Sequence, residues 1–457
     1  MNLALLLCAS LLHVPQSSDE PPTVDAGSTV DRLRVTEFWR GDDTTFGVDA
    51  CWIGTPERPQ LLVSAPEVNG DAGGLYVLDG AEGRSLQSFT LPSKPVSRLG
   101  KRLQSVGDVD GDGAGDFVVF GEMLGRSGER YDHAFGVSSA TGDVLFAVEG
   151  LRSMEPWSAD LVTIEAFDFD ADGALDFVVQ PQGAPGARRA PEAPAGAEAS
   201  GGLEASSPSE SAGRFEVRSG RDGSVLCAFD VGPQPEGMRL WAVHLTLEPG
   251  AGLLALVERI PDAGPAWQIE RSLLRVARDG STKALELNLP KRGRVHGFFD
   301  LDGDAVGELL MHRMALDVGA DQAGSSRSPL DVELLAVDVR DGKVEHVGTL
   351  LPLRQQDTMG PRIPQAMGVA AVGGRRVLYT ANLCGYRTAD LAAFEVGHTE
   401  PLWIEPWEKR TQHLGTLLSA PAVVGGEVVA AFSDGALIEN GGGKVLLVRL
   451  RDGKSVW

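Results

Sequence analysis

LYVLDGAEGRSLQSF, residues 75–89, alternates apolar and polar positions, breaks at a Gly-containing turn, and alternates again. Successive side chains of a strand point to opposite faces and Gly tolerates the backbone of a tight turn, so the stretch reads as two short antiparallel strands. The pattern returns as AFGVSSATGDVLFAV from Ala134, FEVRSGRDGSVLCAF from Phe215, LLRVARDGSTKALEL from Leu273, LLAVDVRDGKVEHVG from Leu334, LAAFEVGHTEPLWI from Leu391 and VLLVRLRDGKSVW from Val445. The seven starts lie 54 to 61 residues apart, except for one interval of 81. Residues 181–213 account for the exception: they are almost purely Ala, Pro, Gly, Ser and Glu, too poor in apolar groups to bury a core, and read as a disordered insertion in the third copy. A shorter insertion, 317–331, stands at the equivalent place in the fifth copy.

Each hairpin is preceded by two further apolar runs of strand length, for example RLQSVGDV from Arg102 and then DFVVFG from Asp116. None has a 3.6-residue period or the capping residues of a helix. Four strands per repeat make either separate sandwiches or the blades of a propeller, and a unit of about 60 residues has too little core to stand alone. The expected fold is therefore all-β: a seven-bladed β-propeller of four-stranded antiparallel blades over residues 43–457. The last strand ends at Trp457, so closing the ring is expected to draw on that strand or on residues 30–39 of an N-terminal linker, 19–42.

Lys and Arg number 41 against 64 Asp and Glu, for a net charge of −23, and no basic run occurs. Phosphate backbones and anionic membrane surfaces are bound by clustered cations, so nucleic acid is not an expected partner. Residues 3–14 are apolar, too short a run to span a bilayer but of the length of a secretory leader, and 1–18 are read as a signal peptide although no Lys or Arg precedes the leucines. Lipidation at Cys8 is not expected, because Leu7 stands where a small residue is required. With no later stretch long and apolar enough to span, the remainder is expected to be a soluble monomer, secreted, periplasmic or on the cell surface. Cys51, Cys227 and Cys384 are widely separated and form neither a disulfide framework nor a zinc site.

The acids gather in three places: GDVDGDGAGDFVV with Asp108, Asp110, Asp112 and Asp116; FDFDADGALDFVV with Asp168, Asp170, Asp172 and Asp176; and FFDLDGDAVGELL with Asp300, Asp302, Asp304 and Glu308. All follow the spacing i, i+2, i+4, i+8 and each leads into a strand. Alternate carboxylates of a tight loop turn toward one centre, Gly113 and Gly173 permit the positive-φ turn, and crowded carboxylates repel unless a hard cation neutralises them. Oxygen-only ligation points to Ca2+, with the carbonyls of Ala114, Ala174 and Val306 as further ligands. An EF-hand would need Glu at the twelfth position and a flanking helix; Val119, Val179 and Met311 stand there instead. The third loop departs from the others in Ala305, where Gly is expected, and in the longer Glu308.

These loops, together with Phe46-Gly47, LLVSAP ending at Pro66 and GGLYVLDG from Gly73, resemble FG-GAP repeats, the calcium-binding blades of the integrin α-chain head and of many secreted bacterial proteins. Leu99-Gly100 and Leu414-Gly415 replace Phe-Gly in the second and seventh copies. The resemblance covers 43–457, strongly in copies one to three and five, and implies three calcium ions and a non-catalytic adhesion or binding role toward an extracellular protein or polysaccharide. A second likeness lies in HTEPLW, ending at Trp403, and DGKSVW, ending at Trp457, which are similar to the repeats of quinone-dependent dehydrogenases and outer-membrane assembly scaffolds. The adjacent cysteines of those dehydrogenases are missing. No HExxH, GxSxG, Walker loop or GxGxxG follows a strand, and His133, His244, His296 and His413 are scattered, so an enzyme is not expected; the alternative is a polysaccharide lyase or hydrolase on the same scaffold.

Overall fold

The computed structural model describes residues 34–36 and 46–457, apart from 56, 67–71, 91–95, 125–129, 153–161, 165–166, 182–212, 263–268, 288, 291, 315–330, 356–357, 361, 384–387, 409–419 and 434–444. The expected leader, most of the expected linker, all but the ends of the 181–213 insertion, and Cys384 fall outside these residues. Among the described residues there is no helix, and the strands form seven antiparallel blades. Blade one runs Ala50–Thr55, Arg58–Ala65, Gly74–Asp79, Ser85–Thr90, and blade two Val96–Gly107, Asp116–Leu124, Arg130–Val137, Val144–Leu151. Blade four comprises Met238–Glu248, Gly252–Pro261, Glu270–Ala277 and Thr282–Leu285, and blade five Arg294–Phe299, Glu308–Met314, Val332–Val337 and Val344–Leu350. Blade six is Ile363–Val372, Arg375–Leu383, Thr388–Glu395 and Pro401–Glu408. First strands meet between blades one and two, four and five, and five and six, which places them innermost.

Blades three and seven depart from four regular strands. In blade three, Phe177–Val179, Arg214–Arg218 and Val225–Asp230 form a three-stranded sheet, and the inner position is reduced to a single bridge between Phe167 and Asp176. The apolar run expected as its first strand instead sends Val162–Ile164 into parallel pairing with the inner strand of blade four. Two inner strands run the same way around the ring, which is why that pairing is parallel. Blade seven has Ala422–Val424, Glu427–Ser433 and Val445–Arg449, and its outer position is filled by the C-terminal residues, with the Val456 N–H donating to the Leu447 carbonyl at 2.7 Å. An additional hairpin, Leu353–Gln355 with Thr358–Gly360, follows blade five.

The apolar positions of the repeat alternate as the sequence implies, one row facing each neighbouring blade. On the middle strand of blade five, Leu310 packs toward blade six with Leu378 and Phe394, whereas Leu309 and Met311 pack toward blade four with Leu254 and Leu256. Burying both faces of every sheet is the main apolar stabilisation, at about 25 cal/mol per Å2 removed from water. Blades seven and one close the ring in the same way, with Val429, Ala431 and Leu447 against Leu61, Val63 and Leu78.

Among the described residues no strand crosses from one end of the chain to complete the other end's blade. Trp457 instead docks on blade one: its Nε1–H donates to the Gly80 carbonyl at 3.0 Å, and its ring covers Gly83, where an added Cβ would fall 2.5 Å from the indole. Trp403 of blade six treats Gly453 of blade seven identically, donating to the Leu450 carbonyl at 2.8 Å. Phe146 of blade two lies on Gly223 of blade three. The linker segment Arg34–Thr36 pairs with the outer strand of blade one rather than with blade seven.

Blades one and two are joined by Asp49, which the sequence reading overlooked. Its Oδ2 accepts the Leu103 N–H at 2.7 Å and its Oδ1 the Ala50 N–H at 2.9 Å. Burial pushes its carboxyl up to about 6, against the opposing pull of these N–H groups and of Arg102.

Two outcomes are expected. Trp457→Ala should lower the free energy of unfolding by roughly 2–4 kcal/mol in denaturant titration, because a half-buried indole and its hydrogen bond are lost; Trp457→Phe, which keeps the ring, should cost about 1 kcal/mol. Because the folded state holds a proton on Asp49 more tightly than the unfolded chain does, the contribution of Asp49 grows as pH falls through 6. The stability difference between the native chain and Asp49→Asn should therefore move in favour of the native chain from pH 7.5 to pH 5; a flat difference would contradict the assignment.

Candidate metal centres

Each acidic loop joins the inner strand of its blade to the next strand, and local backbone geometry explains its shape. The fourth and sixth positions are left-handed in all three loops: Gly111 and Gly113 at φ 80 and 90°, Ala171 and Gly173 at 64 and 89°, Gly303 and Ala305 at 90 and 65°. Only Gly adopts this region freely, so Ala171 and Ala305 each carry a penalty of about 1–2 kcal/mol. The loops keep one conformation despite it, and Asx-type hydrogen bonds hold them there. In blade two Asp108 accepts the N–H groups of Gly111 at 2.8 Å and Gly113 at 2.9 Å. In blade three Asp168 accepts those of Asp172 at 3.1 Å and Gly173 at 3.0 Å.

Within each loop three carboxylates offer oxygens lying within 4.8 Å of one another: Asp108, Asp110 and Asp116; Asp168, Asp170 and Asp176; Asp300, Asp302 and Asp304. The remaining acids stand elsewhere. Asp112 and Asp172 lie outside these groups, each accepting at 2.8 Å the N–H of the residue two places on, Ala114 and Ala174. Val306 donates likewise to Asp304 at 2.8 Å. Glu308 uses Oε2 to accept the Leu301 N–H at 2.7 Å.

The eighth-spaced acid is the anchor of each loop. Asp116 and Asp176 are fully buried. Asp116 receives Val109 N–H at 2.9 Å on one oxygen and Ser139 N–H at 3.0 Å on the other; Asp176 receives Phe169 at 2.6 Å and Gly220 at 3.1 Å. Ser139 and Gly220 belong to the outer turn of the same blade, so the anchor ties its loop to that turn. Burial raises the carboxyl of Asp116 and pushes that of Asp176 up to about 6, with Asp170 and Asp168 adding repulsion against the N–H donors. Burial also raises Glu308. The loops reach the preceding blade as well, through Gly115 N–H to the Gly54 carbonyl at 3.1 Å and Leu175 N–H to the Val106 carbonyl at 3.0 Å.

These groups could hold a metal ion. The donors are all oxygen, which suits a hard cation, and a buried anchor carboxylate whose ionised form is disfavoured by burial and by its neighbours would be relieved by one.

The histidines read as scattered are partly brought together. His296 Nε2 and His312 Nδ1 lie 2.8 Å apart, and His244 Nε2 lies 3.3 Å from Glu258 Oε2. Burial holds His312 down at about 4 and, with the charges of His312 and Arg294, keeps His296 well below the usual imidazole range. The strand register on either side of the third acidic loop sets Arg294 opposite His312, with His296 at the irregularity two residues on.

If the left-handed alanines are strained, Ala305→Gly should raise unfolding free energy by roughly 0.5–1 kcal/mol, the relief of strain exceeding the added flexibility of the unfolded chain. Gly113→Ala, where nothing lies within 4 Å of the added Cβ, should cost about 1 kcal/mol from conformation alone. Chemical denaturation reads both.

No protein-family model matches the chain, and no curated protein matches it. Solved structures do. A study of two prolyl endopeptidases gives a match with a TM-score of 0.43 at 12% identity, covering 93% of this chain and 48% of that one. BamB from Moraxella catarrhalis matches with a TM-score of 0.35 at 11% identity over 81% of this chain and 78% of that one. An endo-arabinase from Bacteroides thetaiotaomicron matches with a TM-score of 0.31 at 13% identity over 53% and 88%. The chain spans about half the length of the endopeptidase chain it matches.

Proposed function

We propose that the protein is a calcium-stabilised propeller that binds an extracellular protein or polysaccharide without catalysing a reaction. The observation that carries the metal half of this reading is the recurrence of one loop in blades two, three and five, with the same two left-handed positions even where alanine occupies one of them. A catalytic carboxylate pair is needed once, whereas an element repeated in equivalent blades serves the scaffold. Calcium is the cation whose ligand number and flexible geometry suit such a loop. Bound in blades two and three, it would be held by Asp108, Asp110 and Asp116 and by Asp168, Asp170 and Asp176, neutralising the carboxylates and stiffening loops that connect each blade to the one before it. The apolar run at 3–14, of the length of a secretory leader, supports an extracellular setting, where calcium is abundant. Loops fixed on a rigid scaffold are where propellers recognise partners, which supports the binding role.

Ions held by the folded loops and not by the unfolded chain stabilise by mass action, about 1–3 kcal/mol per site at ligand concentrations of ten to a hundred times the dissociation constant. Thermal unfolding in millimolar Ca2+ is accordingly expected several degrees above that in excess chelator, and Asp110→Asn/Asp170→Asn should abolish the difference. An unchanged midpoint with no calcium bound would sink the reading and make a screen for polysaccharide cleavage the next experiment.

A further inference from the structure

The three acidic loops share a backbone but not their surroundings. Among the described residues no Lys or Arg is paired with the loop acids of blade two, Asp108, Asp110, Asp112 and Asp116, and Ala140 stands there at the outer-turn position that an arginine holds in blades three and five. Blade three has Arg221 at that position, and its Nε meets Asp172 Oδ2 at 2.6 Å while Nη2 donates to the Asp172 carbonyl at 3.0 Å. Asp172 is the acid outside the converging group, so Asp168, Asp170 and Asp176 keep their shared centre.

Blade five is different. Arg340, at the same outer-turn position, reaches Asp304 Oδ2 with Nη1 at 2.5 Å, and Arg376, from blade six, reaches Asp300 Oδ2 with Nη2 at 3.1 Å. Both acids are members of the converging group. Arg340 is held in place by Asp338, whose two oxygens accept its Nε and Nη2 at 2.9 Å each, leaving Nη1 aimed at the loop. Arg376 lies over the turn itself, its Nη2 3.2 Å from where a Cβ on Gly303 would stand. The last acid is Glu308, committed to the Leu301 N–H.

We infer, building on the calcium reading of blades two and three, that blade five's loop is closed by two arginines, its own Arg340 and Arg376 of blade six, in place of a divalent cation. Two guanidinium groups bring positive charge to the loop, that of Arg340 shared with Asp338, and each donates directionally to an oxygen of a carboxylate the ion would need. A cation entering this loop would have to displace both and meet their repulsion. The loop thus keeps the shape of its relatives without depending on the calcium concentration, and blade six is tied to blade five through Arg376.

Counting bound calcium after dialysis in millimolar CaCl2 tests this, with thermal unfolding as a control for folding. The native chain is expected to bind two ions, Asp110→Asn/Asp170→Asn none, and Arg340→Gln/Arg376→Gln three. Asp300→Asn/Asp304→Asn, an independent variant, should leave the count at two. An ion still bound by Asp110→Asn/Asp170→Asn, one lost from Asp300→Asn/Asp304→Asn, or none gained by Arg340→Gln/Arg376→Gln would overturn the inference. A native chain that binds none, with one gained on removing the arginines, would instead refute the calcium reading of blades two and three and leave the arginine closure standing.

Discussion

Three blade junctions of this ring share one kind of contact, an aromatic side chain at the outer edge of one blade lying on a turn glycine of the next: Phe146 on Gly223, Trp403 on Gly453 and Trp457 on Gly83. Propellers face a closure problem, since the first and last blades come from opposite ends of the chain. Among the described residues no strand is exchanged to solve it. Trp457 does for blades seven and one what Trp403 does for six and seven, with the same Nε1–H to carbonyl bond and the same glycine beneath the ring. A glycine is required under each indole because a Cβ would sit within 2.6 Å of ring atoms, and because these turn residues are left-handed, Gly83 at φ 67° and Gly453 at 73°. Closure is therefore a side-chain event, added to the apolar packing of Val429 and Ala431 against Leu61 and Val63.

The two ends of the strands are secured by different chemistry. Where inner strands turn outward, acidic loops and left-handed residues hold the blades together, drawing on carboxylates that burial makes costly as ions. At the opposite ends buried ion pairs do the work. Lys101 meets Asp132 at 2.9 Å, with both side chains almost fully buried. Arg271, paired with Glu258 at 2.8 Å, donates to the Pro290 and Gly293 carbonyls of the connection entering blade five, and Arg259 donates to the Val231 carbonyl of the connection entering blade four. Arg271 and Arg259 thereby pin connections between blades and satisfy carbonyls there, whose burial without a partner would be costly. Charges so enclosed gain little as pairs but cost much if one partner is removed.

The acidic loops show how one backbone can be neutralised in more than one way. Asp116 and Asp176 draw N–H donors from their own loop and from the outer turn of the blade, so their position does not require an ion. Their charge is a separate matter. N–H dipoles stabilise a buried carboxylate only partly, as the raised carboxyl of Asp176 indicates, and a full positive charge nearby is the remaining remedy.

Much of the architecture was legible in residues alone. The period of the hairpins, the alternation within each run and the turn glycines determine four-stranded units, because strand side chains alternate with period two and seven units of this size have no core unless they pack on each other. The spacing of the acids determined the loops, since Asp and Gly at those positions favour the turn regardless of context. Tertiary structure decided the rest. It chose which three of four acids converge, gave blade three's first run to the inner strand of blade four, and brought Asp49 to Leu103 and His296 to His312. It also set Arg340 and Arg376 on the acids of blade five. These contacts join residues from different strands or blades, and a local pattern records how each segment can fold but not which distant charge or carbonyl will face it once the ring is closed.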